Sequence, residues 1–240
     1  MNLDTLLSYN WGAMAPEFII LGVATLLSLI DLFMKKETSR SILAYLGIVG
    51  IIVALFFLVQ EISQDPVSIL FDTFVVDGFA VLFKMIFLVG ALFVLLLAVN
   101  INGSVVTKAY HGEFYYLMLA ALLGAMFVAS SADVITMYIG LELLSLSSYV
   151  LAGMNKRSIK SNEAALKYVI NGGIASAILL FGISYLFGVT GQTNLYSIAQ
   201  MMQTDVAINH SFLLLIAFFM IFVGITFKIA TVPFHMWAPD

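Results

Sequence analysis

Glu142, Lys167 and Lys228 are ionisable residues set inside long apolar runs, and Lys84 is a fourth. On insertion scales an ionisable side chain near the centre of a bilayer costs at least ~2.5 kcal/mol, so residues of this kind are rare there and usually functional. Glu142 lies in MYIGLELLSLSSYVL, eight residues after Val134, where the apolar span begins. At 1.5 Å per residue it stands ~12 Å deep, close to the midplane. Desolvation there opposes ionisation, whereas a neighbouring cation supports it. Lys228 lies in GITFKIATVPFHMW, near the end of the last apolar run. Pro233 has no N–H and clashes with the carbonyl four residues back, that of Ile229, which predicts an interrupted helix between Lys228 and His235. Broken helices beside ionisable residues recur at transporter ion sites. The alternative is a lysine that snorkels to the inner interface. A lysine and a carboxylate form a couple suited to moving protons, because burial and the partner's field compete over the charge on each. Changing their separation then moves a proton without any redox group.

The other ionisable residues divide by depth. Lys167 enters its span ~8 Å from the inner end and either snorkels outward or relays protons beside the pair. It shares its segment with Gly172, Gly173, Ala175 and Ser176, small residues that let helices approach closely. Lys84 is seven residues past Asp77, too far for direct pairing, and reads as structural or interfacial, so its replacement is expected to be mild. Asp31 and Lys35 form an i,i+4 anchor pair at the inner rim. His111 and His210 fall in loops. His235, just past the proline, is a weaker candidate for passing protons onward.

These residues need helices to hold them. Hydrophobic residues make up 62% of the 240-residue chain and charged residues 10%, against about 25% charged in soluble domains. Apolar runs long enough to cross ~30 Å of hydrocarbon recur along it. Seven spans are predicted, at Pro16–Phe33, Ile42–Val59, Asp77–Val99, Phe114–Ala129, Val134–Met154, Asn162–Val189 and Phe212–Thr231. The fold class is an all-α, polytopic transmembrane bundle. It contains no cysteine, which excludes thiolate-held iron–sulfur clusters, CxxC redox pairs and disulfides within the chain. Nor is there a GxGxxG or GxxxxGK[ST] sequence to cradle a nucleotide. The net charge of −4 carries no nucleic-acid footprint.

Charge in the loops alternates. Lys35, Lys36 and Arg40 follow the first span, Lys108 the third, and Lys156, Arg157 and Lys160 the fifth. The intervening segments carry Asp4, Glu61, Asp65, Asp72 and Asp205, with no Lys or Arg. By the positive-inside rule the N-terminus lies outside and the basic loops lie in the cytoplasm.

Four stretches, PEFIILGVATLLSLIDLF, MYIGLELLSLSSYVLAGM, SNEAALKYVINGGIASAILLFGISYLFGVTGQTNL and FKIATVPFHMWAPD, resemble the N-subunit family of proton-pumping NADH:quinone oxidoreductase (respiratory complex I), a family of antiporter-like subunits. The resemblance runs over essentially the whole chain. It implies an antiporter-like fold with a broken seventh helix, of which residues 1–113 are the N-terminal helices and residues 114–240 the first part of the repeat, truncated before its end. It assigns proton-channel roles to Glu142, Lys228 and Lys167. It implies a translocase subunit in a bacterial inner membrane, with other membrane-arm subunits, including antiporter-like ones, as partners. No cofactor is expected in this chain; NADH, FMN, iron–sulfur clusters and quinone belong to partner subunits. A subunit of a multi-component cation/proton antiporter is the alternative, since it shares the Glu and Lys pair.

Overall fold

The computed structural model describes residues 8–35, 40–100, 111–235 and 237–238, apart from the side chains of Asn100 and His111. Asp4, Lys36 and Lys108 of the loop-charge pattern lie outside the described residues. Among the described residues, seven helices are long and apolar enough to cross a membrane. They are α1 (Ala15–Phe33), α2 (Ser41–Glu61), α3 (Gly78–Asn100), α4 (His111–Ser130), α5 (Val134–Ala152), α6 (Ile159–Thr190) and α7 (Ser211–Lys228). The predicted spans agree with these to within three residues at each end. His111 opens α4 instead of lying in a loop.

Local chemistry sets several of these ends. Pro16 sits in the first turn of α1, where its missing N–H leaves no hydrogen bond broken. Asp133 caps α5: its Oδ1 accepts the N–H groups of Ile135 (2.9 Å) and Thr136 (3.0 Å). The 32-residue α6 begins at the Ser158 cap and ends at Gly191, whose φ of +64° suits a residue without Cβ.

α7 ends at Lys228, three residues short of its predicted end, and the prediction of a helix interrupted at this point holds. The cause is different, however. The Thr231 N–H donates to the Thr226 carbonyl (3.0 Å) and the Ala230 N–H to that of Phe227 (3.1 Å), the paired 6→1 and 5→2 bonds of a Schellman cap. Ala230 takes the left-handed position at φ 52°. Pro233 lies beyond this cap, so the helix has already stopped before the proline could break it.

Packing places α1 to α4 around one apolar core that includes Ile20, Leu27, Leu58, Leu88 and Leu119. A second, smaller core joins α5 and α6 through Val134, Leu179 and Ile183. α4 and α5 approach backbone to backbone at Gly124, where a Cβ would stand 2.6 Å from the Leu144 nitrogen and 2.7 Å from the Gly140 oxygen. Large apolar side chains such as Leu32, Phe56, Phe93, Ile170 and Phe218 point outward, as they must toward lipid chains.

At one end of the bundle the loops are knitted together. A hairpin of β1 (Val67–Ile69) and β2 (Phe74–Val76) joins α2 to α3. The Ala132 N–H donates to the Thr73 carbonyl (3.0 Å), the Val134 N–H to that of Thr193 (2.9 Å), and the Asn194 side chain to that of Asp72 (2.9 Å). The connections after α2, α4 and α6 therefore share one end, as the alternating loop charges require. The opposite end holds a different contact from the one expected: Asp31 binds Arg40 at 2.9 Å instead of standing as an anchor with Lys35. Arg40 precedes α2 and its planar guanidinium reaches across to the last turns of α1.

Candidate functional site

α5, α6 and α7 converge on Glu142. The Lys228 Nζ lies 3.8 Å from the Glu142 Oε1, with side chains 14% and 24% exposed. Each charged group is also held by a serine. The Ser176 hydroxyl on α6 donates to Glu142 Oε1, and the Lys228 ammonium donates to Ser145 Oγ on α5. Ser145 in turn donates its own proton to the Leu141 carbonyl at 2.6 Å, so its lone pairs remain directed to the lysine. Each serine thus fixes the position of one charged group of the pair. The Tyr149 ring adds a further contact, with its centroid 5.9 Å from Lys228 Nζ.

The secondary structure explains why these atoms meet. Glu142, Ser145 and Tyr149 are spaced i, i+3 and i+7, so they share one face of α5. Lys228 is the last residue of α7, at the negative end of the helix dipole, which favours a cation. Trp237 pins the chain that leaves this end. It stacks on Tyr168 of α6 with centroids 4.3 Å apart and 3° between planes, and its Nε1 donates to the Phe227 carbonyl at 3.2 Å.

Attraction between the two charges at 3.8 Å is about 4 kcal/mol at an effective dielectric constant near 20. Doubling the distance halves it, and the ~2 kcal/mol difference is roughly a thirtyfold change in the balance between charged and neutral forms. The attraction within the pair is therefore sensitive to the separation of α5 and α7.

Lys167 stands apart from this arrangement. It pairs with Glu163, one turn earlier on α6, at 2.9 Å, and the two side chains are 44% and 58% exposed. It precedes Ser176 by nine residues, which at 100° per residue puts it on the opposite face of α6 and ~14 Å along the axis. His235 lies with its side chain exposed in the turn after Pro233.

Sequence reasoning missed both serines as ligands, although the spacing of Ser145 from Glu142 carries the signal. It also missed the partner of Lys84. This lysine is fully buried and forms a 2.7 Å ion pair with Glu17 of α1, itself 1% exposed. The Lys84 ammonium also lies 4.9 Å from the Phe74 ring centroid.

Residues 131–240, which carry Glu142, Lys167, Lys228 and His235, match the transmembrane family described as NADH:quinone oxidoreductase/Mrp antiporter. Over 240 residues the chain is 54% identical to NADH-quinone oxidoreductase subunit N of Anoxybacillus flavithermus, covering all of this chain and 48% of that protein. It is 50% identical to subunit N of Bacillus anthracis, covering 47% of it. Among solved structures it matches a chain of respiratory complex I from Thermus thermophilus with bound aureothin, at a TM-score of 0.74 and 29% identity, over 94% of this chain and 46% of that one. The chain thus spans about half the length of the relatives it matches.

Proposed function

We propose that the chain, whose residues 131–240 match the NADH:quinone oxidoreductase/Mrp antiporter membrane family, serves as a proton-translocating part of the N subunit of NADH:quinone oxidoreductase. The observation that carries this reading is the 3.8 Å approach of Lys228 to Glu142 inside a transmembrane bundle, with a serine on each. In this reading the pair alternates between an ion pair and a separated, neutralised form. A conformational change arriving from partner subunits moves α7 against α5. As the two separate, Lys228 gives up a proton and Glu142 takes one up; as they approach, the ionised state returns. Lys167 carries protons toward or away from the pair from the far face of α6, and His235 is a possible acceptor past the end of α7.

NADH oxidation, FMN and iron–sulfur electron transfer and quinone reduction take place in partner subunits of the membrane and peripheral arms. The setting is a bacterial inner membrane with the N-terminus outside, residues 1–113 forming the N-terminal helices and residues 114–240 the start of the antiporter-like repeat. The high identity to subunit N of two bacteria favours this over a cation/proton antiporter subunit.

The test is Glu142→Gln in the assembled complex, in inverted membrane vesicles. It keeps shape and hydrogen bonding but removes the charge. Proton pumping driven by NADH should fall at least tenfold, whereas Glu142→Asp should keep most of it. Wild-type pumping by the glutamine variant would refute the proposal.

A further inference from the structure

Glu17 and Lys84 have a third charged neighbour. Glu61, the last residue of α2, lies within the electrostatic reach of both. Its side chain straddles two environments. The residue is only partly buried and lines a cleft of about 340 Å³ together with Gln64, Asp77, Val81 and Met85. Its Oε2 is nevertheless shielded from solvent and has no hydrogen-bond partner among the described residues, and the same holds for Oε2 of Glu17. Val81 and Met85 of α3 flank Lys84 in sequence, so the floor of the cleft is the stretch of helix that carries the buried ammonium.

Counting charges shows what such a cluster can do. Two carboxylates against one ammonium leave a net charge of −1 when all three are ionised. A net charge away from water is costly, and one added proton removes it. Glu17 and Lys84 are sealed, at 1% and 0% exposed, and neutralise each other. Glu61 is the member with access to the cleft, so it is the one that can exchange. The outer half of α4, residues 117–130, contributes no titratable side chain to oppose or replace it. Asp77 is the other carboxylate at the mouth, and its Oδ1 is engaged by the Ala80 N–H at 2.8 Å.

We propose that Glu61, Glu17 and Lys84 form a second proton-binding site, separate from the Glu142–Lys228 pair, whose ligand is a proton taken from water in the cleft. Only an O–H bond is made and broken. The Glu61 carboxylate accepts a proton from hydronium in the cleft, leaving water, and the cluster passes from −1 to neutral. The reverse step returns the proton to the same cleft. The fixed Glu17–Lys84 pair sets the field in which this happens. The site lies at the knitted end of the bundle, where α2 finishes and α3 begins.

Infrared difference spectroscopy on the full-length protein in lipid nanodiscs, between acidic and alkaline buffer, tests this directly. The wild type should show a pH-dependent protonated-carboxyl stretch that shifts down in D2O because the cleft admits water. Glu61→Gln, which leaves the balanced Glu17–Lys84 pair intact, should lose this band. Asp77→Asn and Glu142→Gln should keep it, so failure here is distinct from failure of the pumping site. If Glu61→Gln does not fold, Glu61→Asp should move the band in frequency. A wild type without such a band, or a band unchanged in either Glu61 variant, overturns the proposal.

Discussion

Glu17→Gln tests the buried pair that joins α1 to α3. At 2.7 Å and an effective dielectric constant near 20, the Glu17–Lys84 attraction is about 6 kcal/mol before desolvation is subtracted. Removing one partner strips the Lys84 ammonium, 0% exposed, of its contact carboxylate and leaves only the more distant Glu61, and breaking a buried pair in this way costs about 3–5 kcal/mol. Lys84→Met should cost a similar amount, because it strands the carboxylate. The double variant Glu17→Gln/Lys84→Met removes both charges and replaces the lysine by an apolar chain of similar length. It should cost less than either single variant, so the coupling energy should exceed about 3 kcal/mol. The assay is unfolding of the full-length protein in mixed micelles, followed by helical circular dichroism. Single variants within ~0.5 kcal/mol of wild type, or losses that simply add in the double variant, would refute the reasoning, since surface changes and independent sites behave in those ways.

Two further outcomes follow from the same geometry. Ala230→Gly relieves the left-handed strain at φ 52° in the cap of α7 and should raise stability by about 1 kcal/mol, read as a higher melting temperature. In a cysteine-free background, Arg157→Cys and Gln192→Cys place single thiols at exposed positions at opposite ends of α6. An impermeant reagent added to intact cells should label the second and spare the first; labelling of the first from outside would reverse the orientation.

The helices were largely legible because a span must be apolar along its whole length, and this leaves a signal that needs no partner. Glu142 and Lys228 stood out for the same reason, as charges where charge is costly. What could not be read was which helix neighbours which. Lys84 looked unpaired because its own helix offers only Asp77, too far along; Glu17 reaches it from α1, 67 positions away in the chain, and only packing reveals that. Its replacement, expected to be mild for pumping, should on this geometry lower the stability of the fold. A break after Lys228 was expected on the strength of Pro233, yet the terminator is a pattern of backbone hydrogen bonds around Ala230, a residue with no turn preference to betray it. Ser176 read as a small packing residue, and its hydroxyl acquired a role only when α6 met α5. The β1–β2 hairpin was missed because two three-residue strands are too short to show alternation.

The central claim is that Glu142 and Lys228 act as one titrating unit. It is tested most directly by measuring NADH-driven proton pumping in vesicles for Glu142→Gln, Lys228→Ala and the double variant, each normalised to assembled complex. Residues that act as a unit are strongly non-additive: losing one costs about as much as losing both. Each single variant should therefore lose most of the pumping, and the double variant should be no worse than the poorer single one. Singles that pump at wild-type rates, or a double variant whose loss is the product of the two single losses, would contradict it.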